Sequence, residues 1–361
     1  MLQVDYRIYP TETLTIKAFA IIAMLVHHLF WLHSEYGQIL CYLANAGKVC
    51  ITIFVFLSGY GMAMIFPSRN GGWKNGGKTI LFFLGKRYSK FFLNYWVVFF
   101  ASVFVGSCCF GRTLEIAYGV NANLVSAFIK DLWGQLGFYS YNITWWFNEL
   151  ILSLWLLFPL FYWLMKNKIT SVSILLFLLI NPGGMLSALE FFANGLSIFM
   201  FPFCVGIFFA QRYKCVNRIL NTISSRWIPY ASFLLAAIIF FVRGAELVSW
   251  LPKYLLDMFV TLLMAISVVS FVRTTGCKLQ FFQFIGKHSM NMYLTHTFIF
   301  GYFFHDFIYG LKYPILMFLA LFGISLLISV VIEFAKNKLS FYRLQSKIVA
   351  LISRQIPSSH N

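Results

Sequence analysis

The chain has 361 residues, of which 60% are hydrophobic, 20% aromatic and only 11% charged. Soluble domains carry about 25% charged residues, so this composition excludes an ordinary soluble protein and indicates a polytopic membrane protein. The net charge of +17 would also suit a nucleic-acid partner, but the positions of the charges favour membrane topology instead.

Apolar runs long enough to cross a bilayer recur along the chain and predict an all-α integral membrane protein with about ten transmembrane helices. They lie near residues 14–33, 46–66, 88–110, 146–165, 170–183, 196–212, 228–243, 252–272, 288–305 and 313–335. The fifth run is short and ends at Asn181-Pro182-Gly183-Gly184, a sequence that stops helices. The amphipathic, aromatic stretch 124–144 predicts an external re-entrant or interfacial segment.

The Lys and Arg residues are divided unequally between the two sets of loops. With a cytoplasmic N-terminus, 22 of the 28 fall on the cytoplasmic side, and the other six are Lys48, Arg112, Lys130, Arg243, Lys253 and Lys312. This asymmetry predicts that both termini are cytoplasmic and that the number of spans is even. We expect a cytoplasmic N-terminus (1–13), one membrane domain (14–335) and a cytoplasmic tail (336–361) that is disordered after Pro357.

The first apolar run contains ionisable side chains, which are costly inside a membrane and therefore indicate a functional site. Lys17 and His28 are eleven residues apart, so they share one helix face and lie about 16 Å apart along its axis. A cation near the cytoplasm suits an anionic ligand, and a deeper neutral imidazole can take a proton from a nucleophile. The structural alternative is that Lys17 snorkels to lipid head groups and His28 is a buried packing partner.

Two further segments place basic or small residues near the predicted cytoplasmic side. Arg87 and Lys90 share a helix face at the start of the third span, and with Lys17 they form a basic cluster suited to phosphates. Ser58 and Gly59 fall near the cytoplasmic end of the second span, where small residues let a ligand or another helix approach closely.

The histidines and cysteines do not predict a metal centre. His27 points about 100° away from His28, which favours a structural role for His27. The directions of His27, His28 and His33 diverge, so they do not converge on one ion. The seven cysteines form no CxxC pair and predict neither disulfides nor a zinc site.

Taken in order, these motifs resemble the acyltransferase-3 family of membrane acyltransferases. The basic residue, ten-residue spacer and histidine of the first span are followed by FVFLSG, which is similar to the family's FFxLSG motif. Arg87-x-x-Lys90 resembles its Arg-x-x-Arg element. Further similar segments are WWFNELILSLWLLFPL (145–160), FPFCVGIFFAQRY (201–213) and IGKHSMNMYLTHTFI (285–299), the last with Gly286, Ser289, Tyr293, Leu294 and His296. The resemblance covers about residues 14–335.

The resemblance implies that an acyl group, usually acetyl, moves from cytoplasmic acyl-CoA to a hydroxyl of an extracytoplasmic or lipid-linked glycan. Acetyl-CoA is then a co-substrate, no cofactor is permanently bound, membrane lipids surround the protein, and the membrane is a bacterial inner or plasma membrane. The expected catalytic residues are His28, Glu149 and His296, with His28 acting as general base or as a transient carrier of the acyl group. Those expected to bind acyl-CoA are Lys17, Arg87, Lys90, Ser58, Gly59 and Tyr293. Lys stands at positions 17 and 90 where the family more often has Arg, which keeps the charge but loses the bidentate geometry. Glu149 follows Trp145 and Trp146 at a spacing that differs from the family's Trp-Ser-Leu…Glu pattern.

Two other functional classes, a transporter and a sensor or scaffold, are also consistent with the same residues. A polysaccharide or lipid-linked sugar transporter would use buried polar groups as a permeation path, but the sequence has no visible inverted repeat and few membrane carboxylates. A sensor or scaffold with a decayed active site would bind no acyl-CoA. Substrate-dependent release of CoA distinguishes the enzyme from both.

Overall fold

A computed structural model describes residues 4–70, 76–135, 140–180, 195–223 and 226–354. Within these ranges the fold is all-α, and no strand occurs. The predicted helix stop at residues 181–184 and the predicted disordered tail after Pro357 lie outside the described residues.

The first half of the chain forms eight helices in the described ranges. They are α1 (Pro10–Phe30), α2 (Gln38–Ala46), α3 (Val49–Asn70), α4 (Gly76–Cys109), α5 (Leu114–Tyr118), α6 (Leu124–Leu132), α7 (Trp146–Leu164) and α8 (Lys168–Ile180). A 3₁₀ turn at Ile143–Trp145 leads directly into α7.

The second half continues with eight further helices in its described ranges. They are α9 (Leu196–Gln211), α10 (Tyr213–Thr222), α11 (Ile228–Gly244), α12 (Lys253–Thr275), α13 (Gln280–Thr297), α14 (His305–Gly310), α15 (Pro314–Lys338) and α16 (Phe341–Arg354). A π-helical segment, Phe298–Phe303, extends α13.

Each of the ten predicted apolar runs overlaps a helix of the described structure, which confirms the all-α prediction. Six helical segments of the described chain are long and apolar enough to cross a membrane: Pro10–Phe30, Gln38–Phe66, Gly77–Cys109, Ile143–Leu164, Lys253–Thr275 and Pro314–Lys338. α9 and α10 form a pair bent by 83°, and α8 and α11 are shorter apolar helices. The protein is therefore a multi-pass membrane protein, while ten spans and two cytoplasmic termini stay predictions.

Helix α1 lies at the centre of the fold, in contact with α2, α3, α12, α13 and α15. Small residues permit this central position. Ala18 and Ala20 are fully buried, and larger side chains there would push the neighbouring helices away from α1.

The backbones of α3 and α9 also lie close together. A Cβ atom added at Gly59 would collide with the carbonyl oxygen of Phe203, and one at Gly206 with that of Phe56. The small residues therefore fix how closely the helix backbones approach.

The stretch predicted to be an external segment contains the amphipathic helix α6 and is anchored by one buried carboxylate. Asp131 is 2% exposed and accepts hydrogen bonds from Tyr118 Oη (3.0 Å), Ser140 Oγ (2.9 Å) and the Tyr141 backbone N–H (2.6 Å). Burial raises the pKa of the Asp131 carboxyl to about 6. This cluster fixes the chain just before the turn that begins α7.

Two ion pairs join separate elements of the fold. Arg243 on α11 and Asp257 on α12 are both 6% exposed, and Arg243 Nε lies 2.7 Å from Asp257 Oδ1. At the N-terminus of α1, the buried Glu12 pairs with Arg273 Nη1 at 3.0 Å and accepts the Tyr9 backbone N–H. A buried charge is tolerated when it is paired in this way.

The crossing of α1 and α13 gives the first prediction. Replacing Gly286 by Ala would drive the new Cβ into the Leu14 carbonyl, so we expect a loss of about 1–3 kcal/mol of stability. Gly323 on α15 has no atom within 4 Å of an added Cβ, so Gly323→Ala is the matched control and should leave stability unchanged or raise it slightly. The midpoint of thermal unfolding in detergent measures both, and equal midpoints for the two variants would contradict the close crossing.

Candidate active site

A cavity of about 680 Å³ lies among α1, α3, α4, the start of α7 and α13. Basic and polar side chains line one end, and these are Thr13, Lys17, Arg87, Lys90 and Asn94. The middle is apolar and includes Met24, Phe54, Leu57, Phe147 and Ile151. His27, His28, Lys48, Thr144 and Trp146 line the other end. Since Lys17 and His28 both face the cavity on α1, its ends are about 16 Å apart by helix rise.

The charge of the cavity lining is entirely positive. Lys17, Lys48, Arg87 and Lys90 face the cavity, and none of the lining residues is Asp or Glu. Neither Lys17 nor Arg87 forms an ion pair within the described ranges. Charges in an apolar setting are costly without a partner, so the basic end is suited to an anionic ligand.

Arg87 is held in place by two neighbours on other helices. Its Nη2 donates to Ser58 Oγ (3.2 Å) on α3, and its guanidinium lies 4.4 Å from the ring centroid of Trp155 on α7. Trp155 Nε1 donates to the same Ser58 oxygen at 2.7 Å. Arg87 Nε is buried and has no hydrogen-bond partner in the described structure. The arrangement fixes the cation and leaves hydrogen-bonding capacity for a ligand.

The two adjacent histidines of α1 have different surroundings. His27 is 7% exposed, and its Nδ1 donates to the Ala44 carbonyl oxygen at 2.8 Å, so the ring is fixed against α2. The His28 ring faces the cavity and makes no side-chain hydrogen bond with the described residues. It packs against His296 with ring centroids 4.9 Å apart and against Phe300 at 6.1 Å. His28 is therefore the imidazole available to a substrate.

His296 is fully buried behind His28 and has a defined tautomer. Its Nδ1 lies 2.7 Å from the Tyr293 carbonyl oxygen, which can only accept, so Nδ1 carries the proton. Nε2 then faces Thr297 Oγ1 at 3.3 Å, and that hydroxyl lies 2.7 Å from Thr144 Oγ1. Tyr293 Oη donates to the Thr144 carbonyl oxygen at 2.8 Å. This network joins α13 to the turn before α7 at the histidine end of the cavity.

Comparison with known proteins identifies the family. The acyltransferase-3 family model, described as an acyltransferase domain, matches residues 15–334. The chain belongs to this family. No curated protein and no solved structure matches the chain. The protein is a membrane acyltransferase, and the matched range contains nearly the whole cavity lining.

Six of the nine residues expected in the acyltransferase site line the cavity: Lys17, His28, Ser58, Arg87, Lys90 and Tyr293. His296 does not line it but supports the His28 ring. Gly59 faces the backbone of α9, and Gly61 lines the cavity instead. Glu149 is not among the lining residues either, whereas its neighbour Asn148 is. Gly59 is thus placed in helix packing, and the expected carboxylate is not placed beside His28.

The sequence reading missed several residues of the acyltransferase cavity. Trp155 was recognised only as part of a family segment, although its indole fixes Arg87. The sequence predicted no role in the site for Thr144 or Asn94, and it placed Lys48 only among the six cations outside the cytoplasmic side. Asn94 is spaced i, i+4 from Lys90, a signal that could have placed it on the same face. The remaining contacts join residues on separate helices, so no pattern in the local sequence could have revealed them.

The unpaired state of Lys17 gives a prediction about stability. Lys17→Met should raise the stability of the ligand-free enzyme by about 1–3 kcal/mol, because an unpartnered cation leaves an apolar setting. Arg243→Met should instead lower stability by about 3–5 kcal/mol, because it leaves Asp257 buried and unpaired. Thermal unfolding in detergent without acyl-CoA measures both. A loss for Lys17→Met as large as that for Arg243→Met would show that Lys17 is structurally paired.

Proposed function

We propose that the enzyme transfers an acetyl group from cytoplasmic acetyl-CoA to a hydroxyl of an extracytoplasmic or lipid-linked glycan. The observation that carries the proposal is the cavity itself, which has unpaired cations at one end and an accessible imidazole at the other. Family membership favours acyl transfer over the transporter and scaffold alternatives.

The basic end suits the phosphates of CoA. Lys17, Arg87 and Lys90 supply three positive charges, and Arg87 presents a fixed planar guanidinium. An extended pantetheine arm is comparable in length to the separation of about 16 Å between Lys17 and His28. The apolar middle of the cavity suits such an arm, so its thioester would lie near His28. The charge asymmetry of the loops supports a cytoplasmic position for the basic end.

The proposed chemistry needs one base and no permanently bound cofactor. Neutral His28 takes the proton from the acceptor hydroxyl while the hydroxyl oxygen attacks the acetyl carbonyl carbon. The tetrahedral intermediate then collapses, the carbon–sulfur bond breaks, and the CoA thiolate leaves with the proton held by His28. The products are the acetyl ester and CoA, and His28 is neutral again. His296 supports the His28 ring throughout.

The experiment that tests this function is labelled acetyl transfer by protein in nanodiscs. Removing the base in His28→Ala should lower acceptor-dependent CoA release by about 10²- to 10⁴-fold, while acetyl-CoA binding persists. His305→Ala is the control, because His305 is exposed and contacts Asp306 and Tyr309 away from the cavity. Full activity of His28→Ala would refute the mechanism. Failure of the wild-type protein to bind acetyl-CoA would refute the donor.

The contacts of Arg87 generate a second prediction for the same reaction. Ser58→Ala removes the oxygen that both Arg87 and Trp155 contact, so the KM for acetyl-CoA should rise about five- to twentyfold with kcat little changed. Trp155→Phe keeps an aromatic ring but loses the N–H, and should raise the KM less. Trp163→Phe is the control on the same helix, because Trp163 is 56% exposed. A fall in kcat with unchanged KM would place Ser58 in the chemical step instead.

A further inference from the structure

Lys48 is the one cation of the cavity lining that lies at the histidine end. We propose that Lys48 binds an anionic group on the acceptor, so that the enzyme acetylates a negatively charged glycan. This inference rests on the proposed function and adds the chemical class of the acceptor. The anion is a uronic acid carboxylate or a glycan phosphate, which share the chemistry that an ammonium group recognises.

The position of Lys48 is fixed by its neighbour in the chain. Gly47 lies so close to α1 that a Cβ added to it would be 2.8 Å from the His27 Cβ and would collide with the Ala23 carbonyl. The backbone of Lys48 therefore lies at the same depth in the helix bundle as His27 and His28. A group bound by Lys48 would be near the hydroxyl that His28 activates.

Lys48 is too distant to share the phosphates of the donor. It precedes Ser58, the residue that contacts Arg87, by ten positions, which is about 15 Å along α3. Lys17, Arg87 and Lys90 already supply three cations at the donor end. Lys48 is exposed, so its charge at the opposite end is available to a different anion.

The two carboxylates whose charge acts on Lys48, Asp257 and Glu246, are already paired with other cations. Asp257 pairs with Arg243, and Glu246 with Lys253. Lys48 forms no ion pair within the described ranges. Its ammonium group instead lies 5.3 Å from the ring centroid of Trp31, a contact that retains the full charge.

The aromatic groups beside Lys48 suit a sugar. Trp31 is 40% exposed at the end of α1, and Trp146 lines the cavity at the same end. An indole ring offers a broad apolar face together with one polar N–H, which matches the mixed surface of a pyranose ring. The orientation of Lys48 towards Trp31 places its charge on the entry side of His28, where an acceptor arrives, rather than on the donor side.

The test compares acceptors that differ only in charge. Purified enzyme in lipid-free detergent with saturating acetyl-CoA receives methyl glucuronoside, methyl glucoside or methyl glucoside 6-phosphate, and CoA release is measured. We expect the wild type to prefer at least one anionic acceptor over the neutral one in kcat/KM by about tenfold or more, with the preference falling as salt rises. Which anion is preferred distinguishes carboxylate from phosphate.

Variants assign the preference to Lys48. Lys48→Gln should reduce the anionic-to-neutral ratio towards one, and Lys48→Arg should retain most of it. Lys130→Gln is the control, since Lys130 is an exposed residue of α6 outside the cavity lining and should leave the ratio unchanged. Preference for the neutral acceptor, no acceptor-dependent release from any of the three, or a Lys48→Gln defect equal for all acceptors would overturn the inference. Acetyl-CoA binding, measured separately, shows whether the proposed donor itself has failed.

Discussion

The constraint on which the site depends is the cost of holding cations inside an apolar fold without carboxylates. Arg243 and Glu12 show how this chain normally meets that cost, by giving a buried charge an opposite partner from another helix. Lys17 and Arg87 have no such partner in the described structure, yet they face the same cavity. These unpaired charges make the basic end suited to an anionic ligand, and a ligand carrying several negative charges would satisfy them best.

Several helices around the cavity are held together by close backbone contacts. Backbone contacts at Gly59, Gly206 and Gly286 bring α3 against α9 and α13 against α1. Such contacts define the helix positions more sharply than large flexible side chains do. The large aromatic residues, in contrast, line or border the cavity. Stiff walls would keep the spacing of about 16 Å between the basic end and His28 constant, as the proposed transfer from acyl-CoA requires.

Helical periodicity predicted more of this site than any other signal. It placed Lys17 and His28 on one face and separated His27, because the angle per residue holds through a continuous helix. It also grouped Arg87 with Lys90. It could not show that Trp155 contacts Arg87, or that Asp131 closes the external segment, because these contacts depend on how separate helices meet. The family motif included Ser58 and Gly59 together, but neighbouring residues of a helix point about 100° apart, so one faces the cavity and the other faces α9.

Within the described structure no carboxylate lies beside His28, which bears on how the ring of the proposed base is oriented. The described neighbours of this ring are His296, His27 and Phe300. Packing supplies the orientation instead. The π-helical segment after α13 brings Phe300 against both His28 and His296, and such segments often occur at functional sites. The Tyr293 carbonyl in turn fixes the orientation of the His296 ring. Packing against His296 and Phe300 therefore sets the direction in which the proposed base faces the cavity, a task that a carboxylate could otherwise perform.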